Sequence, residues 1–183
     1  MFRHRVFRLE TLDWYDAPNE HEPYACFLAG EPVDPAWRQP WQGLVKEVLA
    51  SGRIMQRVHV VSEPVTSYVR FSLLHGYPYS VQAGEDVRII GRVRAGEMAS
   101  RGDWWLFDDH TAAVLAYDSG GTVVRVEMHE HPAVLAGLCA VRDEALKLAD
   151  PLARYVSELN STEGTRHEQQ RMGRRAVVQG ERL

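Results

Sequence analysis

Lysine is almost absent from this chain. Lys46 and Lys147 stand against 19 arginines. The codons of a GC-rich genome account for such a bias; the alternative is anion recognition by guanidinium forks. Cysteine is scarce too, with only Cys26 and Cys139, far apart. A secreted disulfide scaffold needs more of them at closer spacing, so that class is excluded. Both lie among apolar neighbours, which predicts buried thiols. No apolar run approaches the ~20 residues that cross a bilayer. The start, Met-Phe-Arg-His-Arg-Val-Phe-Arg, lacks the apolar stretch of a signal peptide. The expected location is the cytoplasm, with no membrane partner. Positive charge is not in excess either. The net charge of −4 gives no global attraction to nucleic acid, so direct nucleic-acid binding is not expected.

Chemical signatures are missing as well. Gly84, Gly91, Gly96 and Gly102 fit neither the dinucleotide fingerprint nor the P-loop spacing. There is no Gly-x-Ser-x-Gly elbow, and neither cysteine has a catalytic context. His129-Glu130-His131 puts two histidines on one face of a strand, but the run ends at Pro132 and reads as a solvated strand-to-helix junction. No cofactor and no metal site are expected.

What is present is an ordinary globular pattern. The length of 183 residues fits one domain, and the hydrophobic share is 45%. Residues 4–15 alternate as a strand, and residues 20–29 form a short helix. Residues 36–50 read as a helix whose stripe is Trp37, Trp41, Leu44, Val45, Val48 and Leu49, ended by Ser51-Gly52. Residues 56–62 are the strongest strand. Ser62 reads as the N-cap of a helix with Pro64 in its first turn, broken at Gly76-Tyr77-Pro78. Residues 86–90 form another strand, parallel to 56–62 if the helix between them is a crossover. Residues 91–103 read as a loop. Strands at 104–107, 112–117 and 122–128 make a three-strand meander. Pro132 opens a helix with the stripe Val134, Leu138, Val141, Ala145 and Leu148, stopped or kinked by Pro151, and Leu152, Tyr155, Val156 and Leu159 suggest one or two further turns. The fold class is therefore α/β, with α+β as the alternative: a single domain over residues 1–160 with a mixed sheet and flanking helices. Residues 161–183 read as a disordered, Arg-rich tail.

Three places suggest a site. Ser62, Glu63, Ser67, Tyr68 and Arg70 lie where the strongest strand ends and a helix begins, the position that gathers ligands in open α/β sheets and attracts anions. Asp108 and Asp109 form a carboxylate pair in the first turn of the meander, where Asp also serves the turn itself. Trp104 and Trp105 are adjacent on a strand, so one faces away from the other and is either under a helix or on a partner surface. Arg88, Arg92, Arg94 and Arg101 gather around the 91–103 segment as a local basic rim or a solvated loop.

The run Val60-Val61-Ser62-Glu63-Pro64 with Ser67, Tyr68 and Arg70, followed by Ala83 to Arg88 and by Asp103 to Asp109, resembles a bacterial family known as domain of unknown function 6879. The resemblance covers roughly residues 5–150. It implies a regulatory or toxin–antitoxin-like setting beside small helix-turn-helix regulators, and it carries no established activity. The strand, helix and Asp-Asp hairpin also resemble half of a phospholipase D-type domain. The catalytic His and Lys of that family have no counterpart here, so the likeness implies binding at most.

The first functional expectation is a non-enzymatic regulatory or adaptor domain that binds a protein partner, such as a helix-turn-helix regulator, through an apolar patch at Trp104 or Trp105. The second is a small-molecule or nucleotide binder, with an anionic ligand at Ser62, Glu63, Ser67, Tyr68, Arg70, Asp108 and Asp109. The third is an enzyme of a specialised biosynthetic pathway, with Glu63, Asp108 or Asp109 as acid or base and a raised carboxylate pKa in the pocket.

Overall fold

A computed structural model describes residues 2–162. Most of the expected tail therefore lies outside the described residues. The chain divides into two units, residues 1–152 and residues 153–183. The described part of the second unit, residues 153–162, is helical.

The first unit is built on seven strands. Three run parallel: β1 (Arg5–Glu10), β2 (Ile54–Val61) and β3 (Asp86–Gly91). The meander strands β4 (Asp103–Phe107), β5 (Thr111–Tyr117) and β6 (Val123–His129) run antiparallel, starting beside β1. A two-residue strand, β7 (Asp150–Pro151), closes the far side. The order across the sheet is β6-β5-β4-β1-β2-β3-β7. The helices are α1 (His21–Ala29), α2 (Gln39–Ala50), α3 (Ser67–Phe71), α4 (Tyr77–Ala83), α5 (Arg92–Ala95) and α6 (Pro132–Leu148). This is the α/β architecture with a mixed sheet that the alternation of strands and helices predicts.

Strand alternation sorts the core into two layers. On one face Phe7, Leu9, Val58, Val60, Ile90, Trp104 and Leu106 pack with Leu135 and Ala145 of α6. On the other, Val6 and Met55 pack with Val45 and Val48 of α2 and with Ala83 of α4. The expected stripe of α6 faces the core at Leu138, Val141, Ala145 and Leu148, but at its first turn Leu135 is buried and Val134 is 40% exposed. Cys26 and Cys139 are half-buried rather than enclosed.

Two segments depart from expectation. The helix after β2 is capped by Thr66, whose side chain accepts from the Val69 amide at 3.2 Å, and not by Ser62. The helix begins at Ser67, so Pro64, in a cis peptide with Glu63, lies outside it. Nor does the helix break at Gly76-Tyr77-Pro78. A π-helical turn over Ser72–Gly76 leads directly into α4, with Pro78 in that helix's first turn. The 91–103 segment is not a bare loop: α5 and a 3-10 turn over Gly96–Ser100 bury Ala95 and Met98 in the core. Apolar side chains three positions apart mark that turn, and the flanking glycines hide it.

Candidate functional site

β1 and β2 are unusual strands for a buried parallel pair. Their register sets Arg8 opposite Arg57 and Glu10 opposite His59, all on the face shared by Val6 and Met55. Parallel strands covered on both sides normally read as apolar runs. Here α2 and α4 cover Val6 and Met55, and the same face turns polar toward the strands' carboxyl ends.

Those charges are tied into one network. Arg57 donates through Nη1 to both Glu10 oxygens, at 2.9 and 3.0 Å, and through Nε to Glu85 at 2.8 Å. Arg8 Nη2 lies 3.0 Å from Glu10. The Tyr77 hydroxyl donates to Glu10 at 3.0 Å and lies 2.8 Å from His59 Nδ1. His59 Nε2 is 2.8 Å from the Leu12 carbonyl, which can only accept, so that nitrogen carries a proton. Burial alone would raise the pKa of Glu10. Arg57 and Arg8 outweigh it, with help from His59 and Tyr77, and hold the carboxyl down at about 2. Unpaired, such charges would not tolerate burial; paired, they fix the floor of a cavity.

That cavity is about 320 Å³. Its floor is Arg8, Glu10 and Arg57. Its walls include Trp37, Trp41 and Trp105 and four tyrosines: Tyr15, Tyr68, Tyr77 and Tyr117. A second carboxylate positions two of these. Asp103 accepts from Tyr15 at 2.6 Å and Tyr117 at 3.2 Å, and its other oxygen accepts from the Thr11 amide and hydroxyl at 2.8 Å each. A third, Glu20, accepts from the Tyr68 hydroxyl and lies 4.0 Å from Arg38. Burial raises the pKa of Glu20 above the usual carboxylate range, and the Tyr68 and Arg38 contacts offset this only in part. Burial likewise lowers the pKa of Arg38, reinforced by the like charge of Arg57.

Three polar atoms around this cavity are buried without a hydrogen-bond partner: Nε of Arg8, Nε of Arg38 and Nε1 of Trp37. Arg38 stacks on the Trp37 ring at 4.9 Å and donates through Nη2 to Ser80 at 2.8 Å. Arg8 lies 4.9 Å over the Trp105 ring. Native interiors leave few such groups, so three around one cavity need an explanation.

The expected ligand set is divided by the sheet. Of its seven residues only Tyr68 lines the cavity. Ser62 is held by Asp13, its amide and hydroxyl donating at 2.8 and 2.5 Å. The Glu63 carboxylate lies over Gly91, where a Cβ would come within 2.1 Å of it. Ser67 opens α3 and is exposed, and Arg70 is half-buried on the same helix. Asp108 and Asp109 are at the opposite end of the sheet. The reason is direction: β4 runs antiparallel to β1, so its last residue, Phe107, pairs with Val6, near the start of β1. There Asp108 accepts from the amides of Arg3, His4 and Arg5. Desolvation would raise the pKa of Asp108, but those three donors outweigh it and hold the carboxyl at about 2. Asp109 pairs with Arg142. The carboxylate with a raised pKa in the cavity is Glu20, not one of the three named as acid or base.

Trp104 is fully buried against Phe7, with ring centroids 5.2 Å apart, and offers no partner surface. Trp105 points the other way, into the cavity wall. Arg88, Arg92 and Arg94 do not form a free basic rim, since each is paired with a carboxylate: Asp86, Asp13 and Asp150 in turn. Among the described residues, no group of three or more His, Cys, Asp or Glu side chains is placed to hold a metal.

Sequence reading missed Arg8, Glu10, Arg38, Arg57 and Asp103. One signal was available. Arg8-x-Glu10 and Arg57-x-His59 put charged or titratable residues at alternate positions of otherwise apolar strands, so one face of each strand is marked as polar.

No curated protein matches this chain in sequence. A family model described as domain of unknown function (DUF6879) matches residues 1–157, a span that includes every strand of the sheet and the whole lining of the cavity, and the chain belongs to that family.

Proposed function

We propose that this domain binds a small acidic molecule with a flat, apolar body in the cavity between Arg8, Arg38 and the aromatic walls. The observation that carries the reading is the pair of buried, unpartnered Nε atoms on Arg8 and Arg38. Arg57 is engaged through Nε and Nη1 by Glu85 and Glu10. Arg8 shares Glu10 with it and makes a single ion-pair contact, although a guanidinium has five donors. Arg38 has its acid 4.0 Å away. Both therefore keep donor capacity for a carboxylate or phosphate, which a guanidinium fork grips with two bonds. The tryptophan and tyrosine rings supply stacking surface, and the tyrosine hydroxyls are engaged with carboxylates, so ring faces and edges are what a ligand meets.

The volume lies near the lower bound for small-molecule sites, which selects one or two rings and excludes a dinucleotide. A metabolite-sensing regulatory domain joins this pocket to the setting that the family resemblance implies. The test is a thermal-shift screen of aromatic carboxylates and nucleoside monophosphates, followed by calorimetry on hits. Binding that falls at least about tenfold in Arg38→Leu, with the circular dichroism unchanged, supports the reading. A hit that binds Arg38→Leu and Arg8→Leu as tightly as the parent removes it, as does a screen without hits.

A further inference from the structure

Among the described residues, β6 is the outer strand of the sheet and pairs only with β5, leaving the other side of its backbone without a neighbouring strand. Edges of this kind are usually blunted by lysine, proline or a cover. β6 contains neither lysine nor proline, and its one irregularity, at Val124 where the register with β5 shifts, leaves Arg125 to His129 regularly paired. Six of its seven residues are exposed, including Val124 at 63%, Val126 at 52% and Met128 at 61%. The charges between these apolar residues are Arg125 and Glu127, one of each sign, placed symmetrically about Val126 and 3.1 Å apart within the strand.

That symmetry distinguishes one partner from others. A two-fold axis perpendicular to the sheet pairs two β6 strands antiparallel, and side chains directly opposite then point to the same face. Centred on Val126, within the regularly paired stretch Arg125 to His129, the pairing sets Arg125 of each copy against Glu127 of the other. Moving the centre by one residue to Arg125 sets arginine against arginine, and moving it to Glu127 sets glutamate against glutamate. Like charges directly opposite destabilise a strand pair, and opposite charges favour it. Only the Val126 register satisfies both charges and covers the apolar residues. We infer that β6 is the contact by which two copies of this chain join edge to edge, with Val126 on the two-fold axis. A C2 contact must be self-complementary, and this strand carries that property in its own sequence.

The test is sedimentation equilibrium of the full chain and of three charge variants. The parent forms a dimer. Arg125→Glu and Glu127→Arg, which each place like charges opposite one another twice, weaken the dimer at least about tenfold. The double exchange Arg125→Glu/Glu127→Arg restores it to within about threefold of the parent, because the two-fold pairing is symmetric under reversal of sign. Both substituted residues are on the surface, so folding is retained, and circular dichroism checks it. A parent that stays monomeric at about 100 μM, well above the Kd of typical stable homodimers, overturns the inference. A dimer indifferent to the single exchanges, or not restored by the double exchange, overturns it equally, since its interface lies elsewhere.

Discussion

Glu10 and Glu20 are carboxylates of one cavity with opposite responses to pH. The pKa of Glu10 is held at about 2, below its ordinary 4.5, so its ionised form stabilises the fold above pH 4.5 and that contribution fades as the pH falls from 4.5 toward 2. Glu20 is shifted up, so its ionised form disfavours the fold at neutral pH, and the fold gains only when the carboxyl is protonated. Isosteric amides separate the two. Glu10→Gln leaves Arg8 and Arg57 short of a counter-charge in the interior and lowers stability by about 3 kcal/mol or more at pH 7, a deficit that shrinks in urea titrations as the pH is lowered from 4.5 to 3. Glu20→Gln keeps an acceptor for Tyr68 and leaves the melting temperature at pH 7 unchanged or higher. A fall of several degrees in Glu20→Gln contradicts this account of its burial. Asp103 is a third case. Asp103→Ala frees the Tyr15 and Tyr117 hydroxyls and both Thr11 donors, four hydrogen bonds onto one side chain. Its expected cost is about 2–4 kcal/mol, read by chemical denaturation.

At the scale of elements, periodicity located most strands and helices but not the ends that matter for the site. The meander and the parallel pairing of β2 with β3 are legible because apolar alternation and a helical stretch between strands suffice for them. The helix following β2 was misplaced because Ser62 and Thr66 are equally good caps by type, and what separates them is the turn imposed by Pro64 and the claim of Asp13 on Ser62. The site was misassembled for a different reason. Asp108 and Ser62 belong together only if β4 runs parallel to β2, and strand direction is not written in a seven-residue pattern. The buried arginines were passed over because arginine in a strand reads as solvent-facing; a cavity floor is formed when several strands bring such residues together, and no single strand shows this. One helix end gives a direct check. Gly84 closes α4 with φ +106°, and a Cβ there would lie 2.4 Å from Leu49 Cδ2 of α2. Gly84→Ala therefore combines backbone strain with overpacking between two helices and is expected to cost about 1–3 kcal/mol in a denaturant melt. A neutral result requires α2 and α4 to pack more loosely than described.

For the whole molecule, the proposed ligand and the proposed second copy would act on separate parts of one sheet. The cavity lies over β1, β2, β4 and β5 and reaches Val123 at the start of β6, whereas the proposed contact between copies is the outer side of β6 around Val126. A ligand that binds only the folded state stabilises it by about 2.7 kcal/mol at a concentration one hundred times its Kd, so an authentic hit from the screen raises the melting temperature progressively with concentration. Pairing of β6 makes the melting temperature depend on protein concentration as well, and Val126→Lys abolishes that second dependence while leaving the first.

The division of the cavity between floor and walls has a consequence for how the family can diversify. The floor, Arg8, Glu10 and Arg57, reaches charge balance with Glu85 beside the central parallel strands, and altering one member strands the others in the interior. The walls are different: Trp105, Leu115, Tyr117 and Val123 come from the meander, each from an independent position of a strand that contributes little to that balance. Substitutions there reshape the opening without disturbing the ionic framework beneath. On the proposed binding role, selectivity can drift while the capacity to hold an acid is retained, and relatives are expected to differ most in ligand shape and least in ligand charge.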